Sequence, residues 1–348
     1  MMPSAPRTDW VAYVLGGLPG VLLACAAGTG LISERVALLL FAPSFLILNL
    51  AHMAGTWTHA WLDPEQLRAA RIERVWIPAL IVLACLAIDA AGGIVLLLTI
   101  QCWVSLHHAT MQNYGLLRAS QRSSGRHFTD RSLRLDQAAC VLLPLGALTQ
   151  RFRVTAREYD GATMPVPPLW LAALLLAGGT VALLSFIARE VAAARRGEGV
   201  EPLGVALVVS TNVVWAGLLL GLSHAALPLY AIASGHYLQQ LYFIWRAPGT
   251  PSRVANLRGP VRLFLATRIG FVLGLAGAAG VVVFALTAVT VALRSVSASN
   301  TAIPPWVAAM VGVNFSHYWL EHRIWRRTPR STSHGLQTQL AANGVTRR

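Results

Sequence analysis

Charged residues are scarce in this sequence. Of its 348 residues, only 12% are Asp, Glu, Lys or Arg, whereas 55% are hydrophobic. A water-soluble domain carries about 25% charged residues. Apolar runs recur along nearly the whole length, and no polar linker is long enough to separate two domains. The sequence therefore predicts a single integral membrane domain over residues 1–327, followed by a polar, disordered cytoplasmic tail over residues 328–348.

Other absences narrow the function. The sequence has no nucleotide motif, no Gly-rich phosphate loop and no Ser-His-Asp arrangement. None of the four cysteines forms a CxxC pair, which disfavours a thiolate metal site and a disulfide framework. Residues 1–10 carry no cleavage signature, so we expect them to lead into the first helix on the cytoplasmic side.

The charge that is present has one dominant sign. The formal net charge is +14, and the arginines lie mainly in short loops between apolar runs. Such an arrangement indicates the positive-inside pattern of a membrane protein, not a nucleic-acid-binding surface. Arginines follow every even-numbered apolar run, so both termini are predicted to be cytoplasmic, in a bacterial-type inner membrane. Arg151, Arg153 and Arg157 fall outside in this scheme, which predicts either a re-entrant fifth span or an exceptional loop.

The apolar runs predict an all-α fold, a polytopic transmembrane bundle of about ten helices. Asp89 lies between two short runs and is expected to be solvated in a non-cytoplasmic turn. The predicted helices are Trp10–Leu31, Val36–Trp61, a short helix from Trp76 to the Asp89–Gly93 break, Ile94–Leu117, Leu135–Thr149, Pro168–Ile187, Leu203–Leu222, Ala225–Trp245, Leu263–Leu293 and Ile303–Trp325.

Histidines are the informative residues of the sequence. Seven of the ten lie in the C-terminal halves of even-numbered helices, so all of them approach the cytoplasmic membrane face. A lone intramembrane histidine usually bonds to a neighbouring helix, which is our interpretation of His224. A shared depth instead predicts a common site. The seven are His52, His59, His107, His108, His236, His317 and His322.

A local pattern repeats around three of these histidines. Gln112 follows His108 by four residues, Gln240 follows His236, and Glu321 follows His317. Four residues make about 400° of helix, so each pair shares one face. An arginine ten residues after each histidine lies about 15 Å further along the axis, where it reaches the headgroups.

Imidazole is the commonest protein metal ligand, and helix bundles enclose metal centres with ligands from several helices. We therefore predict metal ligands at His52, His108, His236, His317 and Glu321, with His59 and His107 as further candidates. Histidine with carboxylate and an open position suits iron, in one or two ions. Amide side chains are expected to orient the ligands by hydrogen bonds: Asn49, Gln112, Gln240 and Asn314. Nearby aromatic residues, including Tyr237 and Tyr318, fit either an interfacial belt or the wall of a substrate cavity.

Two of these segments resemble a known group of proteins. The run Asn314-Phe-Ser-His317-Tyr-Trp-Leu-Glu321-His-Arg-Ile-Trp-Arg326 resembles a signature of bacterial polytopic membrane proteins of the β-carotene 15,15′-dioxygenase-like type. The run His236-Tyr-Leu-Gln-Gln-Leu-Tyr242-Phe-Ile-Trp245 is similar to a second signature of the same proteins. This resemblance implies an iron-dependent membrane enzyme that uses dioxygen on a lipophilic substrate. The HxxxH and HxxHH boxes of membrane desaturases are not present.

Three functions follow from the sequence. The first is a membrane-embedded non-haem iron oxygenase or oxidase, an oxidoreductase whose partners are the lipid bilayer, an apolar small-molecule substrate and an electron donor, with no nucleic acid. The second is a haem-binding membrane protein or electron carrier. The third is a proton- or metal-coupled transporter with its histidines in the relay or the binding site.

Overall fold

The computed structural model describes residues 14–61, 67–68, 70–123, 128–154, 158–159, 162–163, 165–224, 227–246, 267–297 and 303–342. Within these ranges the chain forms ten helices and one β-hairpin. The hairpin pairs two strands of two residues each, β1 (Glu158–Tyr159) and β2 (Ala162–Thr163). A π-helical turn over Ile72–Trp76 precedes α3, and another over Thr211–Trp215 interrupts α7. The helices are α1 (Leu18–Gly28), α2 (Glu34–Trp61), α3 (Ile77–Ala90), α4 (Ile94–Ser123), α5 (Asp130–Val154), α6 (Leu169–Arg195), α7 (Pro202–Gly221), α8 (Leu227–Arg246), α9 (Arg268–Ser297) and α10 (Pro305–Ala342).

The prediction of an all-α bundle of about ten helices is confirmed. The predicted break between the third and fourth helices lies where the chain turns, because Gly92 adopts φ +83°, a left-handed conformation that favours glycine. One end differs: α10 continues as helix to Ala342, into the segment predicted as a polar tail. That segment holds good helix formers such as Leu336, Gln337 and Leu340. Residues 343–348 lie outside the described chain.

Five of the described helices are long and apolar enough to cross a membrane. They are Glu34–Trp57, Ile94–Arg118, Leu169–Arg195, Pro202–Gly221 and Ile269–Ser297. Large apolar side chains point outward from them, for example Val181 at 64% and Phe284 at 77% exposure. Such exposed apolar faces are costly in water and indicate a membrane protein. The helices α8 and α10 fall short of the same hydropathy because they carry the buried histidines and amides.

Four helices surround the histidines. α8 and α9 pack against α2, while α10 packs against α3, α9 and α2. Contacts between Tyr318 of α10 and both Gln101 and Ser105 bring α4 against α10. As the sequence number rises along α4 from Gln101 to His108, the partner on α10 moves from Tyr318 to Glu321. These two even-numbered helices therefore run in the same direction.

Asp89 is not solvated, so the expectation for this residue was wrong. Its side chain is fully buried and forms a bidentate ion pair with Arg294 of α9, with Nε–Oδ2 and Nη2–Oδ1 distances of 2.8 and 2.7 Å. The same guanidinium donates to the carbonyl of Ile303 at 2.6 Å. This ion pair joins the ends of α3 and α9 to the start of α10. A residue 205 positions away supplies the partner, which no local pattern reveals.

The arginines that broke the positive-inside pattern have a structural explanation. Arg151 is buried, and its guanidinium donates to the carbonyls of Leu219 in the last turn of α7 and of Leu222 and His224 just after it. Helix ends leave carbonyls without intrahelical partners, and a buried cation satisfies them. Arg153 likewise donates to the carbonyl of Pro167. Both guanidinium groups therefore bind backbone carbonyls of the protein itself. Arg157 lies outside the described residues.

The fifth helix is continuous, so within its described length it is not the re-entrant segment that we considered. Its 25 residues correspond to roughly 37 Å of helix. It packs closely along α6, and Asp136 is fully buried between them. The Asp136 carboxylate accepts from Arg189 at 2.6 Å and from Gln121 at 2.9 Å. The Asp136 charge is therefore paired inside the bundle, where a carboxylate without a partner would be costly.

Glycine sets the spacing of α5 and α6, and we expect Gly179→Ala to destabilise the protein. A methyl group at Gly179 would collide with the backbone nitrogen of Leu143, whereas one at Gly178 would meet only Leu142 Cδ1 at 3.7 Å. Overpacking costs about 1–3 kcal/mol, so the free energy of unfolding of Gly179→Ala should fall by that amount. Gly178→Ala is the matched control and should be neutral or slightly stabilising, since alanine favours helix by up to about 1 kcal/mol. Equal melting temperatures for the two variants in detergent would contradict the close contact between Gly179 and Leu143.

Candidate metal centre

Four helices bring four predicted ligand histidines together: His52 from α2, His108 from α4, His236 from α8 and His317 from α10. The ring of His52 lies 4.3 Å from that of His317 and 4.8 Å from that of His236, between centroids. The ring of His108 lies 5.2 and 5.1 Å from the same two rings. His52, His236 and His317 are buried, and His108 is largely so. Residues spread over 265 positions of sequence thus form one cluster.

Glu321 adds a carboxylate to this cluster. Its Oε2 lies 3.1 Å from Nε2 of His108 and 3.2 Å from Nε2 of His317. The pair His317 and Glu321 lies on one face of α10, as its four-residue spacing predicted. One ligand atom from each of four side chains lies within 4.8 Å of the others. These four side chains, His52, His108, His317 and Glu321, are able to hold a metal ion.

Several imidazole nitrogens of the cluster make no hydrogen bond to a described residue. Six buried ring nitrogens are in this position: Nδ1 and Nε2 of His52, Nε2 of His108, Nδ1 of His236, and Nδ1 and Nε2 of His317. Two of the six, Nε2 of His108 and Nε2 of His317, contact the Glu321 carboxylate. Burying a polar group without a hydrogen bond costs about 1–3 kcal/mol by mutational measures. So many orphaned nitrogens at one point require an explanation, and an ion supplies one because each nitrogen would become a ligand.

Two distances in the group match those within a coordination sphere, while the four ligand atoms together lie within 4.8 Å of one another. Ligand nitrogen and oxygen atoms lie about 2.0–2.2 Å from a bound transition metal, so neighbouring ligands are about 3.0–3.5 Å apart. The two contacts of Glu321 Oε2, at 3.1 and 3.2 Å, lie in this interval. This spacing suits atoms that share an ion, and it also suits a direct histidine–carboxylate contact.

The remaining predicted ligands differ in their positions. His236 contacts the rings of His52 and His108, but it is not one of the four side chains with mutually close ligand atoms. The side chain of His107 is exposed on α4 and is not part of the group. The side chain of His59 lies outside the described residues. Whether any of these three binds metal stays a prediction.

The predicted orienting amides are all buried beside the cluster: Asn49, Gln112, Gln240 and Asn314. Gln112 donates at 3.4 Å to the carbonyl of His236 and to Oε1 of Gln239, so it ties α4 to α8. The expected bonds from the two asparagines to histidines are not formed within the described chain, because both nitrogens of His52 and of His317 lack partners. Their role in orienting ligands stays a prediction.

A cavity of about 380 Å³ adjoins the cluster, with His52 and His236 in its wall. This volume is within the range of small-molecule sites. The polar lining side chains include Asn49, Gln101, Ser105, Asn314 and Tyr318, and most of the others are apolar. From the histidines the cavity extends toward the N-terminal ends of α4, α8 and α10, where Leu98, Leu229 and Val307 line it.

Two of the aromatic residues, Tyr237 and Tyr318, touch the histidines. Tyr318 stacks on His108 with centroids 4.3 Å apart, and Tyr237 lies 4.9 Å from His52. Both line the cavity. The two tyrosines could have been identified from the sequence, because each directly follows a predicted ligand histidine, in His236-Tyr237 and in His317-Tyr318. Gln101 and Ser105, which hold the Tyr318 hydroxyl, were not identified because their partner is more than 200 residues away.

No protein-family model matches this chain, and neither a curated protein nor a solved structure matches it at a significant level. The resemblance to the β-carotene 15,15′-dioxygenase-like proteins therefore stays a prediction. The case for a function rests on the geometry of the metal centre and its cavity.

Proposed function

We propose that this protein is a membrane-embedded non-haem iron enzyme, an oxygenase or oxidase that acts on a lipophilic substrate. The observation that carries the proposal is the group of three buried imidazoles and one carboxylate beside an apolar cavity, in which several ring nitrogens make no hydrogen bond to a described residue. A purely structural histidine cluster would be expected to satisfy its nitrogens with neighbouring side chains.

The donor set favours iron among the metals. His52, His108 and His317 supply neutral nitrogen, and Glu321 supplies one negative oxygen. Imidazole suits iron, zinc, copper and nickel, and histidine with carboxylate and open positions is typical of non-haem iron centres that use dioxygen. Since His52 also lines the cavity, a small molecule in the cavity would have access to the ion. When bound, iron would supply the activation of dioxygen.

The protein side chains have three tasks in this proposal. His52, His108, His317 and Glu321 hold the ion from three helices. The apolar wall, with residues such as Leu106, Ile232 and Val311, binds a hydrophobic molecule and excludes water. The packed helices keep ligands and substrate in a fixed relative position, which lowers the entropic cost of reaching the reactive geometry. An oxygenase that inserts one oxygen atom and reduces the other to water would also need the predicted electron donor, whereas an oxidase takes its electrons from the substrate.

The packing of the rings argues against haem. Two axial imidazoles bind haem from opposite faces, so the space between them must be free for the porphyrin ring. Here the rings of His52 and His108 are 6.2 Å apart, and both His236 and His317 lie against this pair at 4.3–5.2 Å. The other two imidazoles therefore fill the space that a porphyrin would require.

A transporter has less support from the described residues. A proton relay needs titratable groups that lead across the membrane. Two buried charge pairs among the described residues, Asp89 with Arg294 and Asp136 with Arg189, are each satisfied by their partner and lie on other helices. The placement of the metal centre in the cytoplasmic half of an inner-membrane protein follows from the arginine pattern and is part of the proposal.

The test is metal analysis with an absorption spectrum. Protein purified in detergent from iron-supplemented cells is expected to contain one to two iron ions per chain and to show no haem Soret band. After chelation, reconstitution with Fe(II) should restore stoichiometric iron and start dioxygen uptake when a lipid extract is added. Absence of any bound transition metal, before and after reconstitution, would overturn the proposal. A Soret band would instead support the haem alternative.

A further inference from the structure

A group of polar side chains lies at the histidine end of the cavity. The hydroxyl of Tyr318 lies 2.7 Å from Ser105 Oγ and accepts a hydrogen bond from Gln101 Nε2 at 3.4 Å. Ser105 lies one turn before His108 on α4, and Tyr318 follows His317 on α10. This group therefore shares its two helices with three of the metal-binding side chains. We call Gln101, Ser105 and Tyr318, together with Asn49, the polar end of the cavity.

The hydrogen bonds of the polar end are incomplete. Oδ1 of Asn49, a side chain with 2% exposure, and Oε1 of Gln101 are buried and make no hydrogen bond to any described residue. Both are acceptor oxygens in the wall of the cavity. If Tyr318 accepts from Gln101 and donates to Ser105, the Ser105 hydroxyl keeps its own proton as a donor. The polar end thus offers two acceptors and one donor.

The rest of the cavity is apolar and elongated. From the level of His317 it reaches Trp306, roughly 16 Å along α10. Trp306 is 50% exposed, so the cavity reaches the surface of the bundle there. The described residues that line the cavity include neither Lys nor Arg, which disfavours a carboxylate or phosphate as the bound head group.

We infer that the cavity binds a lipophilic alcohol, with its hydroxyl at the polar end and its apolar chain toward Trp306. A hydroxyl both donates and accepts, so it can donate to Gln101 Oε1 while accepting from Ser105, the two residues that meet at the Tyr318 hydroxyl. An aldehyde or ketone can only accept, and an alkane can do neither. The inference rests on the proposed function, and it places the head of the substrate, not its chain, beside the metal-binding side chains.

A binding experiment tests this inference without turnover. Protein in nanodiscs is titrated with tritiated dodecan-1-ol in a scintillation proximity assay, and unlabelled dodecan-1-ol, dodecanal, dodecanoic acid and dodecane compete. Because leaving a buried acceptor unpaired costs about a factor of ten or more, dodecanal should compete at least about tenfold more weakly than the alcohol. Gln101→Leu should weaken alcohol binding by a similar factor and abolish the preference over dodecanal. Gln137→Leu, the same replacement on α5 outside the cavity, should change neither.

Several outcomes would overturn the inference. Equal competition by alcohol and aldehyde, tighter binding of dodecanoic acid, no saturable binding, or an unchanged preference in Gln101→Leu would each do so. Iron content is measured on the same samples. Bound iron without a hydroxyl preference would reject the alcohol and leave the proposed metal function standing. A hydroxyl preference in a protein that binds no metal would reject the proposed function alone.

Discussion

Replacement of His108 by alanine will remove bound metal from the purified protein, whereas the same change at the adjacent His107 will not. His108 contributes one of the four mutually close ligand atoms, and its Nε2 contacts the carboxylate of Glu321 at 3.1 Å. His107 is exposed and lies outside that group. Altering a residue that merely supports a ligand costs about 10–100-fold in metal affinity, so loss of a ligand should cost at least as much. The measurement is iron per chain after dialysis against a weak chelator.

Two further variants sharpen this test. Glu321→Gln keeps the shape of the side chain but removes the single negative charge of the group, so it should also lose metal. His236→Ala asks whether the fourth imidazole is a ligand, since its ring contacts two of the others. Melting temperatures in detergent show whether each variant is folded. A folded His108→Ala protein that keeps its full iron content would refute the ligand set.

Loss of the buried partner of Arg294 should be the most destabilising single change away from the metal centre. Asp89→Leu leaves a guanidinium buried at 9% side-chain exposure with only the Ile303 carbonyl to accept from it among the described residues. Breaking a buried ion pair by removing one partner costs about 3–5 kcal/mol. The free energy of unfolding in mixed micelles, followed by circular dichroism, should fall by that amount.

The double replacement is the control for this mechanism. Asp89→Leu combined with Arg294→Met removes both charges, so it should be more stable than Asp89→Leu alone, because no unpaired charge stays buried. Glu198→Leu at the exposed Arg196–Glu198 pair offers a matched comparison and should cause no measurable change. If the double variant is as unstable as the single one, the cost does not come from the unpaired charge.

The sequence predicted much of the candidate site because helix geometry is local. Whether two residues share a face depends only on their spacing, so His317 with Glu321 could be read directly. A common depth of the histidines was predicted as well, because arginine clusters indicate which end of a helix is cytoplasmic, and the orientation in a membrane stays a prediction. The structure agrees in bringing His52, His108, His236 and His317 together from four helices. The assignment of iron and of an oxidative reaction stays a proposal from ligand chemistry.

What the sequence determined by itself is the secondary structure and the class of environment: apolar runs of membrane length, broken at Gly92, and a set of histidines at one depth. Only the tertiary structure decided which side chains meet. It paired Asp89 with Arg294, used Arg151 to bind carbonyls at the C-terminal end of α7, and joined Tyr318 to Ser105 and Gln101. The physical reason is that buried polar groups must find partners wherever the packing of helices allows. Those partners are distant in sequence and leave no periodic signal in it.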